Sequence, residues 1–241
     1  MKRLFILVII ISSIIPKQVR AQNDGAAIAA VAAGAVAVGA TIAAVQQMKE
    51  RAELTATEWV LTNHPDFTSF SLKTLSFDGK KLKDMSSTSV IIFKIQKFTP
   101  KDEPELDGKK YILFGFTSHG WISEYGIDFN KVSWYLIDSS EWMNMMTAYV
   151  KVSSDKKDES YLREQLKNGK VVNKGVRVNN KLEIPFFKLE GDMYLVTDYS
   201  SEMKLVYNER SLGIFIKDTQ DLVQIARGDI IDIHEFFFDG D

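Results

Sequence analysis

Short apolar segments separated by turn dipeptides fill the chain from Phe67 onward, a pattern that is typical of β-strands. Apolar and polar residues alternate most clearly over 90–96 and 204–207, and Asp-Gly, Asn-Asn or Glu-Gly pairs follow many of the segments. The pattern predicts strands at 70–77, 89–98, 110–118, 131–138, 170–178, 182–189, 193–199, 203–208, 212–217 and 230–237.

Two helices are predicted among these strands. Residues 140–148 follow a capping serine, and residues 158–167 end at Asn168-Gly169, a favourable C-terminal stop. Many short strands with few helices indicate a β-rich α+β fold, either an antiparallel sandwich or a partly open barrel with two short helices. We expect a long Ala/Gly-rich helix to precede this domain.

The Ala/Gly-rich segment is residues 25–45, which carry no charge and include eleven alanines and three glycines. Most of its larger side chains recur at heptad spacing and form one apolar stripe, namely Ile28, Val31, Val38, Ile42 and Val45. Alanine is the strongest helix former, so the spacing predicts a helix from about residue 26 to residue 62. Pro65 ends it, because the residue before proline avoids the helical conformation.

Three interpretations of this helix remain open. The helix spans or enters a bilayer, packs through its apolar stripe against copies of itself or a partner protein, or lies in a groove of its own domain. The sequence therefore predicts membrane association or self-association through residues 25–45, with a protein partner as a further candidate.

The first 21 residues match a signal peptide. Lys2 and Arg3 precede an apolar stretch at 4–15, Pro16 follows, and cleavage after Ala21 fits the small residues there. An uncleaved anchor is the alternative. We therefore expect an exported protein, in the periplasm or associated with a cell-envelope membrane.

The expected domain limits are 1–21 for the signal peptide, 22–62 for the helix, and 63–241 for one β-rich domain. A split into two small domains at the polar segment 153–158 is the alternative.

Composition excludes several classes of function. The chain contains no cysteine, which removes disulfides and thiol chemistry. Its 30 Lys+Arg and 32 Asp+Glu become a net charge of −6 once the four basic residues of the signal are removed. The lysine pairs at 80–81, 109–110 and 156–157 are interpreted as solvated turns, so we expect no nucleic-acid partner. No motif indicates a cofactor.

Three groups of residues are candidates for chemistry or binding. His119, beside Ser118, and His234 are the candidate residues of a periplasmic hydrolase, although no nucleophile elbow is present. In the predicted last strand, Asp232 and His234 share one face and form a candidate metal site. Residues 111–135 are the most aromatic part of the chain, and those that face outward, with Trp121, Tyr125 and Trp134 as candidates, would form a binding surface.

No catalytic residue is assigned from these patterns. The sequence favours an exported, non-catalytic binding or assembly protein held at a membrane or in an oligomer by its N-terminal helix. The hydrolase is the alternative, and a membrane-perturbing protein is a third interpretation.

Overall fold

The computed structural model of the chain describes residues 38–77, 89–101, 105–123, 126–190 and 193–239, and gives the backbone alone at 38–45, 122–123 and 126–127. The predicted signal peptide, Ile28 and Val31 lie outside the described residues. The predicted long helix is therefore described only from Val38 onward. Export and the expected domain limits stay predictions.

Four α-helices and thirteen strands are formed by the described residues. The helices are α1 (Val38–Asn63), α2 (Ser139–Ser153), α3 (Glu159–Asn168) and α4 (Arg227–Phe238), with a 3₁₀-helix at Phe129–Lys131. The strands are β1 (Phe70–Ser76), β2 (Ser89–Lys97), β3 (Lys110–Thr117), β4 (Ile122–Ser123), β5 (Gly126–Ile127), β6 (Val132–Asp138), β7 (Lys170–Val172), β8 (Gly175–Val178), β9 (Lys181–Pro185), β10 (Leu195–Asp198), β11 (Met203–Tyr207), β12 (Ser211–Ile216) and β13 (Asp221–Ala226).

The strands form antiparallel sheets. A first sheet has the order β1-β2-β3-β6, a second sheet the order β10-β11-β12-β13, and β7-β8-β9 and β4-β5 form two smaller ones. The β-rich α+β prediction is confirmed at this level. The sheets are sandwich-like, and within the described part of the chain they do not close into a barrel.

The first sheet is buried on both faces, which explains the unbroken apolar run at 90–93. Successive side chains of a strand point to opposite faces. Ile91 and Phe93 therefore pack with α1 on one face, while Val90 and Ile92 pack on the other face with the rest of the domain.

Helix α1 covers the first of these faces. Met48, Ala52, Ala56 and Val60 recur every four residues, and all are at most 1% exposed in one cluster with β2 and β3. The two alanines allow the helix backbone to approach the sheet closely. The helix ends at Asn63, two residues before Pro65. Its second half thus packs as part of the β-rich domain.

The opposite face of the first sheet meets the second sheet and the remaining helices. One large cluster joins Ile92 of β2, Met146 of α2, Leu166 of α3, Ile214 of β12 and Ile233 of α4, all at most 3% exposed. The cluster holds the two sheets and three helices in fixed relative positions, and both candidate sites described below lie at its margin.

The predicted last strand at 230–237 is wrong, because the segment is helical and belongs to α4. Its β-branched and aromatic residues favour a strand by propensity, but Ile230, Ile233 and His234 recur at helical spacing and are all buried. Tertiary burial of one helical face therefore overrides local propensity here.

Three smaller differences concern strand and helix limits. The predicted strand at 170–178 is a hairpin of β7 and β8, since Gly175 has a φ of 146° and turns the chain. Strand β13 was not predicted. Helix α2 is capped by the Asp138 carboxylate, which accepts from the backbone N–H of Ser140 and Glu141, rather than by a serine.

Candidate functional site

The two tryptophans of the predicted binding surface pack against α1. Trp121 is 4% exposed, and Trp134 stacks on Trp59 with ring centroids 6.3 Å apart. Gly115 faces Trp134 across the ladder, and a Cβ there would come within 2.9 Å of the indole, so the glycine makes room for the ring. Tyr125 lies outside the described residues. Trp121 is thus a core residue, and Trp134 is half-buried against the same cluster.

Among the described residues, neither of the two candidate hydrolase histidines is hydrogen-bonded to a nucleophile. His119 is exposed, and the neighbouring Ser118 Oγ donates directly to Asp221 Oδ2 at 2.7 Å. In a catalytic triad the imidazole lies between the hydroxyl and the carboxylate. Within the described part of the chain, neither His119 nor His234 has that position.

His234 is fully buried in α4 and uses both ring nitrogens for structural contacts. Trp142 Nε1 donates to His234 Nδ1 at 3.3 Å, and His234 Nε2 lies 2.9 Å from the Leu166 carbonyl oxygen. Since an indole N–H only donates, Nδ1 accepts and Nε2 carries the proton. Burial lowers the pKa of His234. The bond ties α4 to α2.

The geometric premise of the candidate metal site is wrong, because residues two apart on a helix do not share a face. Asp232 is exposed and His234 is buried. Among the described residues, no group of three or more His, Asp or Glu side chains is placed to hold a metal ion.

Of the apolar stripe, Val38, Ile42 and Val45 lie in the first turns of α1, where the backbone alone is described. None of the helices formed by the described residues is long and apolar enough to cross a membrane.

A further candidate site is an aromatic cavity of about 250 Å³ between the first sheet, α2, β12 and the turn that joins β10 to β11. The strands contribute Phe114, Phe116, Tyr135, Ile137, Met203 and Ile214, α2 contributes Glu141 and Met145, and the turn contributes Tyr199, Ser200 and Glu202. The floor is buried and the turn forms the mouth.

Three aromatic rings form the sheet side of this cavity. Phe114 and Phe116 stand on one face of β3 with nearly parallel rings, 5.6 Å between centroids and 11° between planes. Tyr135 of β6 is directly opposite Phe114 in the ladder, and its ring lies 5.3 Å from that of Phe116. Aromatic faces carry partial negative charge, so the wall is both apolar and electron-rich.

The polar side of the cavity is a hydrogen-bonded chain. Tyr199 donates its hydroxyl to Glu141 Oε1 at 2.5 Å, and Asn144 Nδ2 donates to Glu141 Oε2 at 3.3 Å. Arg163 reaches the chain from outside by donating to Asn144 Oδ1 at 2.8 Å. Burial and the Glu141 carboxylate raise the pKa of Tyr199.

A second carboxylate lies at the mouth. Ser200 Oγ accepts from the backbone N–H of Glu202 and of Met203, which fixes the tight turn that presents Glu202. Burial raises the pKa of Tyr135, and the negative charges of Glu202 and Asp218 raise it further. Two carboxylates therefore line the cavity, and no lysine or arginine is among its described lining residues. Lys217 Nζ lies at the rim and donates to the Ser200 carbonyl oxygen at 2.7 Å.

Sequence reasoning did not predict this cavity. Phe114, Phe116 and Tyr135 belong to the aromatic stretch, but the candidates named there were Trp121, Tyr125 and Trp134, which do not line it. Glu141 and Tyr199 did not stand out. The two are 58 residues apart, and no local pattern indicates that they meet.

No family model matches the chain, no curated protein matches it, and no solved structure matches it. The function is therefore inferred from the geometry of the site itself.

Proposed function

We propose that the chain is an exported, non-catalytic binding protein whose aromatic cavity holds a small organic cation. The observation that carries this proposal is the combination of three aromatic rings with two carboxylates, Glu141 and Glu202, in a cavity without a basic lining residue among those described.

The cavity chemistry suits an ammonium group attached to an apolar body. A cation over an aromatic face gains about 0.5–2 kcal/mol, and aromatic walls recognise quaternary ammonium groups in this way. The volume of about 250 Å³ exceeds the roughly 150 Å³ that holds benzene in an engineered cavity. A single ring or short branched chain that carries one positive charge fits this space.

Isothermal titration calorimetry with benzyltrimethylammonium tests the proposal. The cation should bind, and neopentylbenzene, its uncharged isostere, should bind at least about tenfold more weakly, a difference of about 1.4 kcal/mol. Glu202→Gln should weaken cation binding because it removes charge at the mouth. Glu164→Gln, an exposed change on α3, is the matched control and should leave binding unchanged. Equal binding of the cation and its isostere would contradict the proposal.

The N-terminal helix is proposed to hold this binding domain at a membrane or in an oligomer. Support comes from the uncharged run 25–45 and from the continuity of α1, whose residues Met48 to Val60 are fixed on the first sheet.

Partitioning of two variants tests this placement. A chain that starts at Gln46 keeps Met48 and Ala52 in the core, and it should fold and stay soluble. The chain from Gln22 should partition into membranes or a larger assembly. Val38→Asp with Ile42→Asp should reverse that shift, because a charge at a membrane-embedded helix centre costs about 2.5–3.5 kcal/mol.

If the double variant instead lowers the thermal midpoint and leaves partitioning unchanged, the run packs within its own domain. That result would contradict anchoring at a membrane or in an oligomer, and it would leave the proposed cation binding unaffected.

A further inference from the structure

A second recess, the lysine groove, lies between the first sheet and α4 and has a volume of about 490 Å³. Its sheet side carries Ser71, Lys73, Leu75, Lys94, Gln96 and Lys110, and its helix side carries Asp232, Glu235, Phe236 and Asp239. Leu106, which is 51% exposed, forms the rim, where Gln96 Nε2 donates to the Leu106 carbonyl oxygen. The groove shares no residue with the aromatic cavity.

Three lysines converge on one face of three neighbouring strands. Lys73 of β1 is directly opposite Lys94 of β2, and Lys110 of β3 is opposite Gln96, the next residue of β2 on that face. Like charges directly opposite each other destabilise a sheet. Lys110 is half-buried in β3, so interpreting the pair 109–110 as a solvated turn is wrong for this residue.

Within the described ranges, these lysines differ from others on the protein in having no carboxylate partner. Lys97, Lys151 and Lys217 each lie within 3.1 Å of a carboxylate oxygen. Among the described residues, Lys73, Lys94 and Lys110 have no such ion pair. The Nζ atoms of Lys94 and Lys110 instead lie 6.0 and 5.4 Å from the ring centroid of Phe236.

The carboxylates of α4 and of its C-cap Asp239 do not fill this role, because two of them contact another lysine. Glu235 Oε1 and Asp239 Oδ2 lie 2.6 and 3.3 Å from Lys170 Nζ, outside the groove lining. These contacts raise the pKa of Lys170. Asp232 is exposed at the edge. The helix thus turns an aromatic ring toward the lysines and directs two of its charges toward Lys170.

From this arrangement we infer that the lysine groove binds a phosphate monoester that carries an apolar substituent. A compact dianion meets three ammonium groups, which bind phosphate as point charges, and the Ser71 hydroxyl supplies a further donor. The apolar substituent packs on Phe236 and Leu106. Binding neutralises the opposed lysines and so removes a repulsion that the free protein carries.

The first test measures the binding of phenyl phosphate to the full chain by NMR and calorimetry. Lys94→Gln with Lys110→Gln should weaken binding at least tenfold, whereas Lys109→Gln, an exposed neighbour outside the groove, should leave it unchanged. The double variant removes like-charge repulsion, so its thermal midpoint should equal or exceed that of the parent. Absence of phenyl phosphate binding, or equal weakening by Lys109→Gln, would overturn the inference.

A vesicle arm distinguishes a lipid phosphate from a soluble one. Phosphatidylcholine vesicles with and without phosphatidic acid are compared for the parent and the double variant. A gain with phosphatidic acid that depends on Lys94 and Lys110 identifies a lipid as the source. A lysine-dependent response to phenyl phosphate alone identifies a soluble ester. If neither response depends on the two lysines, the groove is not a phosphate site.

Discussion

The aromatic cavity and the lysine groove lie at opposite ends of one face of β3. Lys110, Ile112, Phe114 and Phe116 alternate along that strand and point to the same side. Near Phe116 the covering elements are α2 and the turn after β10, which bring Glu141 and Glu202. Near Lys110 the cover is α4, which presents Phe236 and turns two carboxylates toward Lys170.

The difference teaches that the covering elements determine what each end binds. One continuous sheet face supplies aromatic rings at one end and ammonium groups at the other. The helices then add negative charge to the rings and an aromatic ring to the lysines. A cation is expected at the first end and an anion at the second.

The largest expected difference between the two ends is in stability. Phe116→Ala should lower the free energy of unfolding by about 3–5 kcal/mol, because the ring is 2% exposed and packs on Phe114 and Tyr135. Lys110→Ala, the matched change at the other end, should alter it by less than about 0.5 kcal/mol. Denaturant unfolding measures both. Similar losses at both positions would show that the ends do not differ as described.

The next effect concerns the contact between α2, which covers the aromatic cavity, and α4, which covers the lysine groove. Trp142 of α2 donates to His234 of α4. Burial lowers the pKa of His234 more strongly than Leu166, Asp239 and Glu235 raise it. The unfolded state, with an ordinary pKa near 6.5, therefore binds the proton more readily. The contribution of neutral His234 to the free energy of unfolding should be fully present above a pH of about 6.5. It should be lost progressively as the pH falls from there toward the lower pKa of the folded state.

NMR titration of the imidazole, with thermal unfolding between pH 8 and pH 5, checks this directly. His119→Gln, at an exposed position, serves as the control and should preserve the pH dependence. A His234 ring that titrates at or above its ordinary pKa would contradict the assigned contacts.

A smaller loss is expected at the Tyr199–Glu141 hydrogen bond. Tyr199→Phe should cost about 1–3 kcal/mol, because a partly buried carboxylate loses a donor. Tyr207→Phe is the matched control, since the Tyr207 hydroxyl is buried without a hydrogen-bond partner in the described part of the chain. Denaturant unfolding should show a clear loss for the first variant and little or none for the second. A larger loss for Tyr207→Phe than for Tyr199→Phe would contradict the Tyr199–Glu141 hydrogen bond.

The smallest effect should have the opposite sign. Lys94→Gln should raise the free energy of unfolding by about 0.2–1 kcal/mol, because it removes the charge directly opposite Lys73. The gain should shrink at high salt, where the repulsion between the lysines is screened. A loss of stability would mean that the lysine charge is already compensated in the free protein.

Much of the first sheet could be predicted from the sequence. Strands β1, β2, β3 and β6 have strong apolar patterns, and their predicted limits differ from the observed ones by one residue at each altered end. Helix α4 was missed because Phe236 and its aromatic neighbours favour strands locally. Its helical form depends on burial of Ile230 and Ile233, which only the assembled domain provides.

The two sites depend on pairs that are remote in sequence. Phe114 and Phe116 lie in the aromatic stretch without having been named as site residues. Glu141 and Tyr199 meet only through packing of α2 on the second sheet. Lys94 and Lys110 are diagonal neighbours only because β2 and β3 pair in one register. Neither the Glu141–Tyr199 contact nor the proximity of the two lysines can be predicted from spacing along the sequence.

The most direct test of the central claim is one NMR titration of the full chain with each ligand, observing methionine methyl groups and the resonances of Lys94 and Lys110. Benzyltrimethylammonium should shift Met145 and Met203, which line the aromatic cavity, and leave the two lysines unchanged. Phenyl phosphate should shift the lysines and leave those methionines unchanged. If both ligands shift the same residues, or if neither shifts any of them, the account of two oppositely selective ends is contradicted.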